Sequence, residues 1–158
     1  MELIDKVVEN NFKKGSKKTQ IVLTHTSRNL FDYVTSIKFR FGGKPIKLPH
    51  YLIGKDGKIL NVLEDDKNGK YLSSEKVNNK SIVICLENLG WLEKQPLKNY
   101  HINWIGSIYR EKVFDRKWRD YFFWDPYTDI QLEKAAELCK ELSEKHEISL
   151  QCIGHNTK

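Results

Sequence analysis

The stretch Ser81-Ile82-Val83-Ile84-Cys85-Leu86, followed directly by Glu87, decides the fold predicted for this chain. A short, continuous apolar run that is rich in β-branched side chains predicts a buried strand. Residues 21–23 form a similar run that leads into His25. Functional residues concentrate where strands end and loops begin, so both His25 and Glu87 are candidates for chemistry.

The rest of the pattern places helices between strands. Apolar runs on either side of Asp56-Gly57 predict a hairpin. Helical spacing predicts one helix over residues 29–41 and a longer one after Thr128, where Thr128 and Gln131 form a capping box. The apolar stripe predicted for the longer helix comprises Leu132, Ala135, Ala136, Cys139, Leu142 and His146. A last strand over 150–153 then leads to His155. This order predicts an α/β fold with a mixed central β-sheet flanked by helices.

Length and composition indicate a single domain over residues 1–158. With 39% hydrophobic and 30% charged residues, the chain is typical of a globular rather than a disordered protein. No apolar run approaches the ~20 residues that span a bilayer, and the N-terminus does not resemble a secretory signal. The three cysteines are far apart, which favours reduced thiols. We therefore expect cytoplasmic synthesis.

The formal net charge of +6 suggests attraction to a polyanion. Nucleic acid, an anionic cell wall and an acidic membrane surface all fit this charge. A mildly basic surface that serves only solubility fits it equally well.

His25 and His155 each follow an apolar run, and two imidazoles at one edge of a sheet are the start of a metal site. Zinc favours imidazole nitrogens and takes three protein ligands plus a water in catalytic sites. Glu87 is a candidate base for a metal-bound water. The structural alternatives are histidines hydrogen-bonded to backbone carbonyls and a solvated acid in a turn.

Five segments occur in the order found in the zinc-dependent N-acetylmuramoyl-L-alanine amidases, a superfamily that includes phage lysozyme-type amidases and animal peptidoglycan recognition proteins. They are residues 22–27, 49–57, 79–88, 127–131 and Gly154-His155. The chain resembles this family over about residues 20–158. The resemblance implies Zn²⁺ as cofactor, His25 and His155 as ligands, and Glu87 as the acid that assists the attacking water. Tyr51 and Asn88 are candidate substrate-binding residues.

The chain also departs from the family pattern. The third ligand normally follows the Gly-His motif, so we expect it beyond Lys158, in a C-terminal segment that this chain lacks. Pro49 stands where some relatives have a tyrosine that stabilises the oxyanion. Tyr51 is a candidate to take over the role of that tyrosine. His50 is expected to be buried or to support the site indirectly. His146 is expected to be a cation at the end of a helix.

Residues 109–124 combine aromatic and basic side chains beyond what the family core needs. We expect an insertion whose aromatic side chains pack on the core while its charges stay solvated. Stacking on single-stranded nucleic acid or on sugar rings is the alternative.

The leading interpretation is an enzyme that hydrolyses the amide between N-acetylmuramic acid and L-alanine in bacterial peptidoglycan. We expect a monomer that acts as a phage lysin or in cell-wall recycling. The alternatives are a non-catalytic peptidoglycan-binding module of the same fold and a nucleic-acid-binding protein, of which the second is less favoured. No membrane partner is expected.

Overall fold

The computed structural model describes residues 12–39 and 47–151. Strands and helices alternate through the first half of the chain, and a run of short strands precedes the last helix. In chain order the elements are β1 (Gln20–His25), α1 (Leu30–Phe39), β2 (Tyr51–Ile53), β3 (Ile59–Asn61), α2 (Glu75–Lys80), β4 (Ser81–Leu86), β5 (Trp91–Lys94), β6 (His101–Ile102), β7 (Ile108–Tyr109), β8 (Phe114–Trp118), β9 (Tyr121–Trp124) and α3 (Asp129–His146).

The first sheet has the strand order β1-β4-β2-β3. Strand β4 pairs in parallel with both β1 and β2, and the β2–β3 hairpin is antiparallel, so the predicted mixed sheet is confirmed. Leu86 is the register partner of both His25 and Ile53. The carboxyl ends of β1, β4 and β2 therefore lie side by side at one edge of the sheet.

Helices cover both faces of this sheet, as predicted. Alternate residues of β4 point to opposite faces, and every one of its six residues is buried. One face packs against α3 through a cluster that includes Ile53, Ile82, Ile84, Leu86, Ala135, Leu138 and Leu142. The other face packs against α1 through Leu52, Cys85, Leu30, Tyr33 and Val34.

The buried face of α3 differs from the predicted stripe. Leu132 is 49% exposed and Ala136 is also exposed, whereas Leu138 is buried. The helix is rotated because Gln131, with no exposed surface, lies inside the protein. Its Nε2 donates to the carbonyl oxygens of Ile53 and Glu87, each at 3.0 Å.

The predicted capping box is only half formed. Thr128 is the N-cap, and its hydroxyl accepts from the Gln131 amide at 3.2 Å. The side chain of Gln131 does not complete the box, because its amide group bonds to the strand ends instead.

A second, five-stranded sheet with the order β7-β6-β5-β9-β8 is antiparallel throughout. For residues 100–124 the mixed, aromatic-rich sequence pattern predicts one hairpin, whereas the structure has four strands there. The expectation that the aromatic side chains of residues 109–124 pack on the core is wrong for several of them. Phe114, Trp118 and Phe122 are each about half exposed, and all of β8 is exposed.

Several sequence-based predictions fall at the limits of the described ranges. Leu150 and Gln151 are not in a strand, and the remainder of the predicted last strand lies outside the described residues, together with His155. Cys152 and the end of the helix predicted over residues 29–41 also lie outside the described residues. Cys85 and Cys139 are free thiols, as expected. Within the part of the chain that the structure describes, none of the helices combines the length and apolar character that crossing a membrane requires.

His50 is buried, as expected, and has a structural role. Its Nδ1 accepts from the Val83 amide at 3.0 Å, and its Nε2 lies 3.1 Å from the carbonyl oxygen of Lys67. Burial lowers the pKa of His50 to about 4, which keeps the ring neutral at ordinary pH. His146 lies at the end of α3, as predicted, and also contacts the buried carboxylate of Asp65 at 2.8 Å.

Adjacent substitutions on α3 test which face is buried. Gln131→Glu places a carboxylate against two carbonyl oxygens and is expected to lower the free energy of unfolding by about 3 kcal/mol or more at pH 7. Because burial raises the pKa of such an acid, the loss should shrink as the pH falls. Leu132→Glu adds the same charge at an exposed position and should change stability by less than about 1 kcal/mol. Urea unfolding measures both, and the reverse order would contradict this helix orientation.

Candidate functional site

The candidate site lies at the edge where the parallel strands of the first sheet end. His25 is the last residue of β1, Glu87 directly follows β4, and Gly54 and Lys55 follow β2. Parallel pairing brings the three strand ends together although they are far apart in sequence. The structure thus places His25 and Glu87 at the same edge, as the sequence predicts.

The carboxylate of Glu87 is held by two backbone amides. Its Oε1 accepts from the Leu30 amide and its Oε2 from the Lys55 amide, each at 2.9 Å. Leu30 is the first residue of α1, so the negative charge also lies at the positive end of a helix dipole. An ionised carboxylate has about four acceptor positions, so Glu87 retains capacity to bind water or a substrate N–H.

Asp125 connects the surrounding loops. Its side chain is 2% exposed and forms a 2.7 Å ion pair with Lys55. Its other carboxylate oxygen accepts from the Leu89 amide at 2.7 Å. Lys55 Nζ also donates to the carbonyl of Pro126. These bonds fix the loop after β2, whose Lys55 amide in turn holds Glu87.

A cavity of about 240 Å³ lies beside Glu87. Its walls include Asn29, Lys55 and Glu87 from the loops that follow strands of the first sheet, together with Ser107 and with Ile108 and Tyr109 of β7. Ligand pockets usually measure about 300–1,000 Å³, so this cavity is large enough for only part of an extended substrate.

His25 has an exposed side chain beside Gly90. Gly90 has a φ of +79°, and a Cβ added there would lie 3.5 Å from His25 Nε2. Desolvation lowers the pKa of His25, which favours the neutral imidazole that binds metals. Within residues 12–39 and 47–151, the side chain of His25 forms no hydrogen bond.

His25 therefore stays a candidate zinc ligand, while the other predicted ligand, His155, lies outside the described residues. Within the described ranges, no group of three His, Cys, Asp or Glu side chains is arranged to hold a metal ion. The described part of the chain thus contains one candidate ligand and the candidate base.

Tyr51 and Asn88 are both buried, and their polar atoms are bonded within the protein. The Tyr51 hydroxyl donates to Asp65 Oδ1 at 2.6 Å, and burial raises the pKa of the phenol. The Asn88 side chain donates to the Asp125 carbonyl at 2.7 Å and accepts from the Gly90 amide at 2.8 Å. These contacts have a structural role. The bond from the Gly90 amide to Asn88 positions the backbone beside His25.

Sequence reasoning missed Lys55, Asp125 and Gln131. The Lys55–Asp125 pair joins residues 70 positions apart, and no local pattern connects them. Gln131 matches a capping box, which concealed its buried role. The only available signal was Asp125 next to Pro126, directly before the last helix.

Two glycines provide a matched test of access to His25. Gly90 and Gly106 have similar φ values, +79° and +81°, but a Cβ on Gly106 would meet no atom within 4 Å. Alanine at either position should cost about 1–2 kcal/mol of stability through backbone strain. Only Gly90→Ala should slow carbethoxylation of His25 by diethyl pyrocarbonate, measured by mass spectrometry. Equal modification rates in the two variants would show that Gly90 does not border the reactive nitrogen.

Known proteins share this fold. The N-acetylmuramyl-L-alanine amidase AmiD from E. coli, solved with anhydro-N-acetylmuramic acid-L-Ala-D-gamma-Glu-L-Lys, superposes with a TM-score of 0.57 at 16% identity, over 85% of this chain and 46% of AmiD. This chain thus spans about half the length of AmiD. The endolysin N-acetylmuramoyl-L-alanine amidase LysCS from Clostridium intestinale URNW superposes with a TM-score of 0.51 at 20% identity. The match covers 89% of this chain and 75% of LysCS.

Drosophila peptidoglycan recognition protein SD gives a TM-score of 0.52 at 12% identity, over 90% of this chain and 71% of that protein. No curated protein sequence matches the chain. The family model described as N-acetylmuramoyl-L-alanine amidase matches residues 14–158. This match covers most of the chain and confirms the resemblance, so the chain belongs to the N-acetylmuramoyl-L-alanine amidase family.

Proposed function

We propose that this protein is a zinc-dependent amidase that hydrolyses the bond between N-acetylmuramic acid and L-alanine in bacterial peptidoglycan. The observation that carries the proposal is the carboxylate of Glu87, which two backbone amides hold at the same sheet edge as His25. Membership of the amidase family supports the same reaction.

In this proposal His25 and His155 hold the zinc ion. When bound, zinc supplies a Lewis acid that polarises the amide carbonyl and lowers the pKa of a water molecule. The exposed His25 ring, with its lowered pKa, suits this role because the neutral imidazole is the form that binds metal.

Glu87 takes a proton from the attacking water and delivers it to the leaving amine. The amides of Leu30 and Lys55 keep the carboxylate in one orientation, so little reorganisation is needed when the proton moves. Asp125 holds Lys55 and thereby supports the second of these bonds. The cavity beside Glu87 receives the part of the substrate next to the scissile amide.

The proposed setting is the bacterial cell wall. A net charge of +6 favours contact with an anionic wall. Similarity to an endolysin and to AmiD suits a monomeric phage lysin or a wall-recycling enzyme, made in the cytoplasm.

The second candidate is a non-catalytic module that binds peptidoglycan. It is favoured by the two hydrogen bonds on Glu87, which also suit a purely structural acid, and by the similarity to a peptidoglycan recognition protein. Turnover of purified cell walls with added zinc separates the candidates, because a binding module retains affinity without releasing peptides.

Glu87→Gln tests the proposed base. Removing proton transfer should lower the rate of peptide release from purified peptidoglycan by about 100- to 10,000-fold. Asp56→Asn is the matched control, because it neutralises an exposed acid in the adjacent turn and should leave the rate near that of the unmodified protein. Circular dichroism verifies that both variants fold. A folded Glu87→Gln variant with full activity would exclude Glu87 as the base.

Zinc affinity tests His25 separately. His25→Ala should weaken zinc binding, measured by isothermal titration calorimetry, by more than about a hundredfold, since even the outer partners of metal ligands contribute about 10- to 100-fold. His101→Ala removes a histidine of the second sheet and should leave the affinity unchanged. Equal affinities in the two variants would reject His25 as a ligand.

A further inference from the structure

Four aromatic side chains of the second sheet form one contiguous group, here called the ring cluster: Trp91, Trp118, Tyr121 and Trp124. Trp91 stacks on Tyr121 with ring centres 4.5 Å apart. Trp124 meets Tyr121 edge-on at 6.0 Å and Trp118 at 5.5 Å. Trp118 is 54% exposed and Tyr121 is 37% exposed. Large rings that pack on one another and remain open to solvent are typical of a recognition surface.

The ring cluster adjoins the candidate site at two points, the first residue of β5 and the last residue of β9. Trp91 directly follows Gly90, which lies beside His25. Trp124 directly precedes Asp125, whose amide donates to the Gly90 carbonyl at 3.0 Å. The registers place Trp91 opposite Trp124, and Trp118 opposite Tyr121. The rings therefore extend from the site along the second sheet towards the turn between β8 and β9.

The charges around the rings are mixed. Residues 110–124 contain five basic and three acidic side chains, a net charge of +2. The guanidinium of Arg119 stacks over Trp118 at 4.7 Å, which leaves the N–H groups at its edge free to donate. Nucleic acids are bound mainly by neutralising many phosphates, and the three acids oppose such binding. Aromatic area rather than positive charge thus dominates this surface.

We propose that the ring cluster binds the glycan strand of peptidoglycan, with sugar rings stacked on Trp118 and Tyr121. The C–H faces of a pyranose are apolar and match an exposed aromatic face, while the hydroxyl and N-acetyl carbonyl oxygens of the sugars suit the donors of Arg119. The identity of the polymer rests on the proposed amidase function. The cluster would hold the strand so that a stem peptide reaches the cavity beside Glu87.

Binding to peptide-free glycan strands tests the proposal, because these strands contain no scissile amide and their binding does not depend on hydrolysis. The unmodified protein should bind them, with a change in tryptophan fluorescence. Trp118→Ala should weaken binding about tenfold, and Trp118→Phe, which keeps a ring, should lose less. Phe31→Ala removes a 79% exposed ring from α1 and should bind like the unmodified protein. Thermal unfolding verifies that each variant is folded.

Equal glycan affinity in Trp118→Ala and Phe31→Ala would overturn the proposal. Tighter binding to polyuridine RNA or to phosphatidylglycerol vesicles than to glycan would overturn it too, in favour of a nucleic acid or a membrane. If Trp118→Ala does not fold, the glycan affinities of Trp118→Phe and Phe31→Ala are compared instead, and equal affinities would overturn the proposal. Glycan binding without peptide release would refute the proposed amidase function but not the proposed glycan site. Peptide release without glycan binding would refute the proposed glycan site but not the proposed amidase function.

Discussion

The parallel pairing of β4 on both of its sides is the constraint on which the rest of the structure depends. All six residues of this strand are buried, so its backbone groups need partners on both edges and its side chains need cover on both faces. Strands β1 and β2 supply the backbone partners, and helices α1 and α3 cover the side chains. A shift of one residue would exchange the side chains that pack against α3 with those that pack against α1, so the two clusters specify the register.

That register determines the geometry of the candidate site. Because His25 and Ile53 both pair with Leu86, the loops after β1, β2 and β4 meet at one edge. The polar groups there are held by backbone atoms as much as by side chains. Glu87 accepts from two amides, and Gln131 donates to two carbonyls, one of them that of Glu87 itself. The candidate base is therefore positioned by a helix start, a turn and a second helix at once.

The second sheet adds a different kind of surface. Strands β2 and β4 of the first sheet bury all their residues, whereas the second sheet leaves aromatic rings exposed and stacks them on one another and on cations. Ser107, Ile108 and Tyr109, at the start of β7, also line the cavity beside Glu87. The fold thus separates the chemistry proposed for the first sheet from the recognition proposed for the second, while both meet at Gly90 and Asp125.

The sequence by itself determined the elements whose signals are local. Apolar runs located β1 and β4, Asp56-Gly57 located the hairpin, and Thr128 located the start of α3. Ordered motifs identified the family and pointed to His25 and Glu87. Only the tertiary structure decided the rotation of α3, the Lys55–Asp125 pair and the exposure of the rings, because each depends on contacts between distant segments. Gln131 shows the physical reason: a residue that matches a local cap is buried when two strand ends offer carbonyls that require a donor.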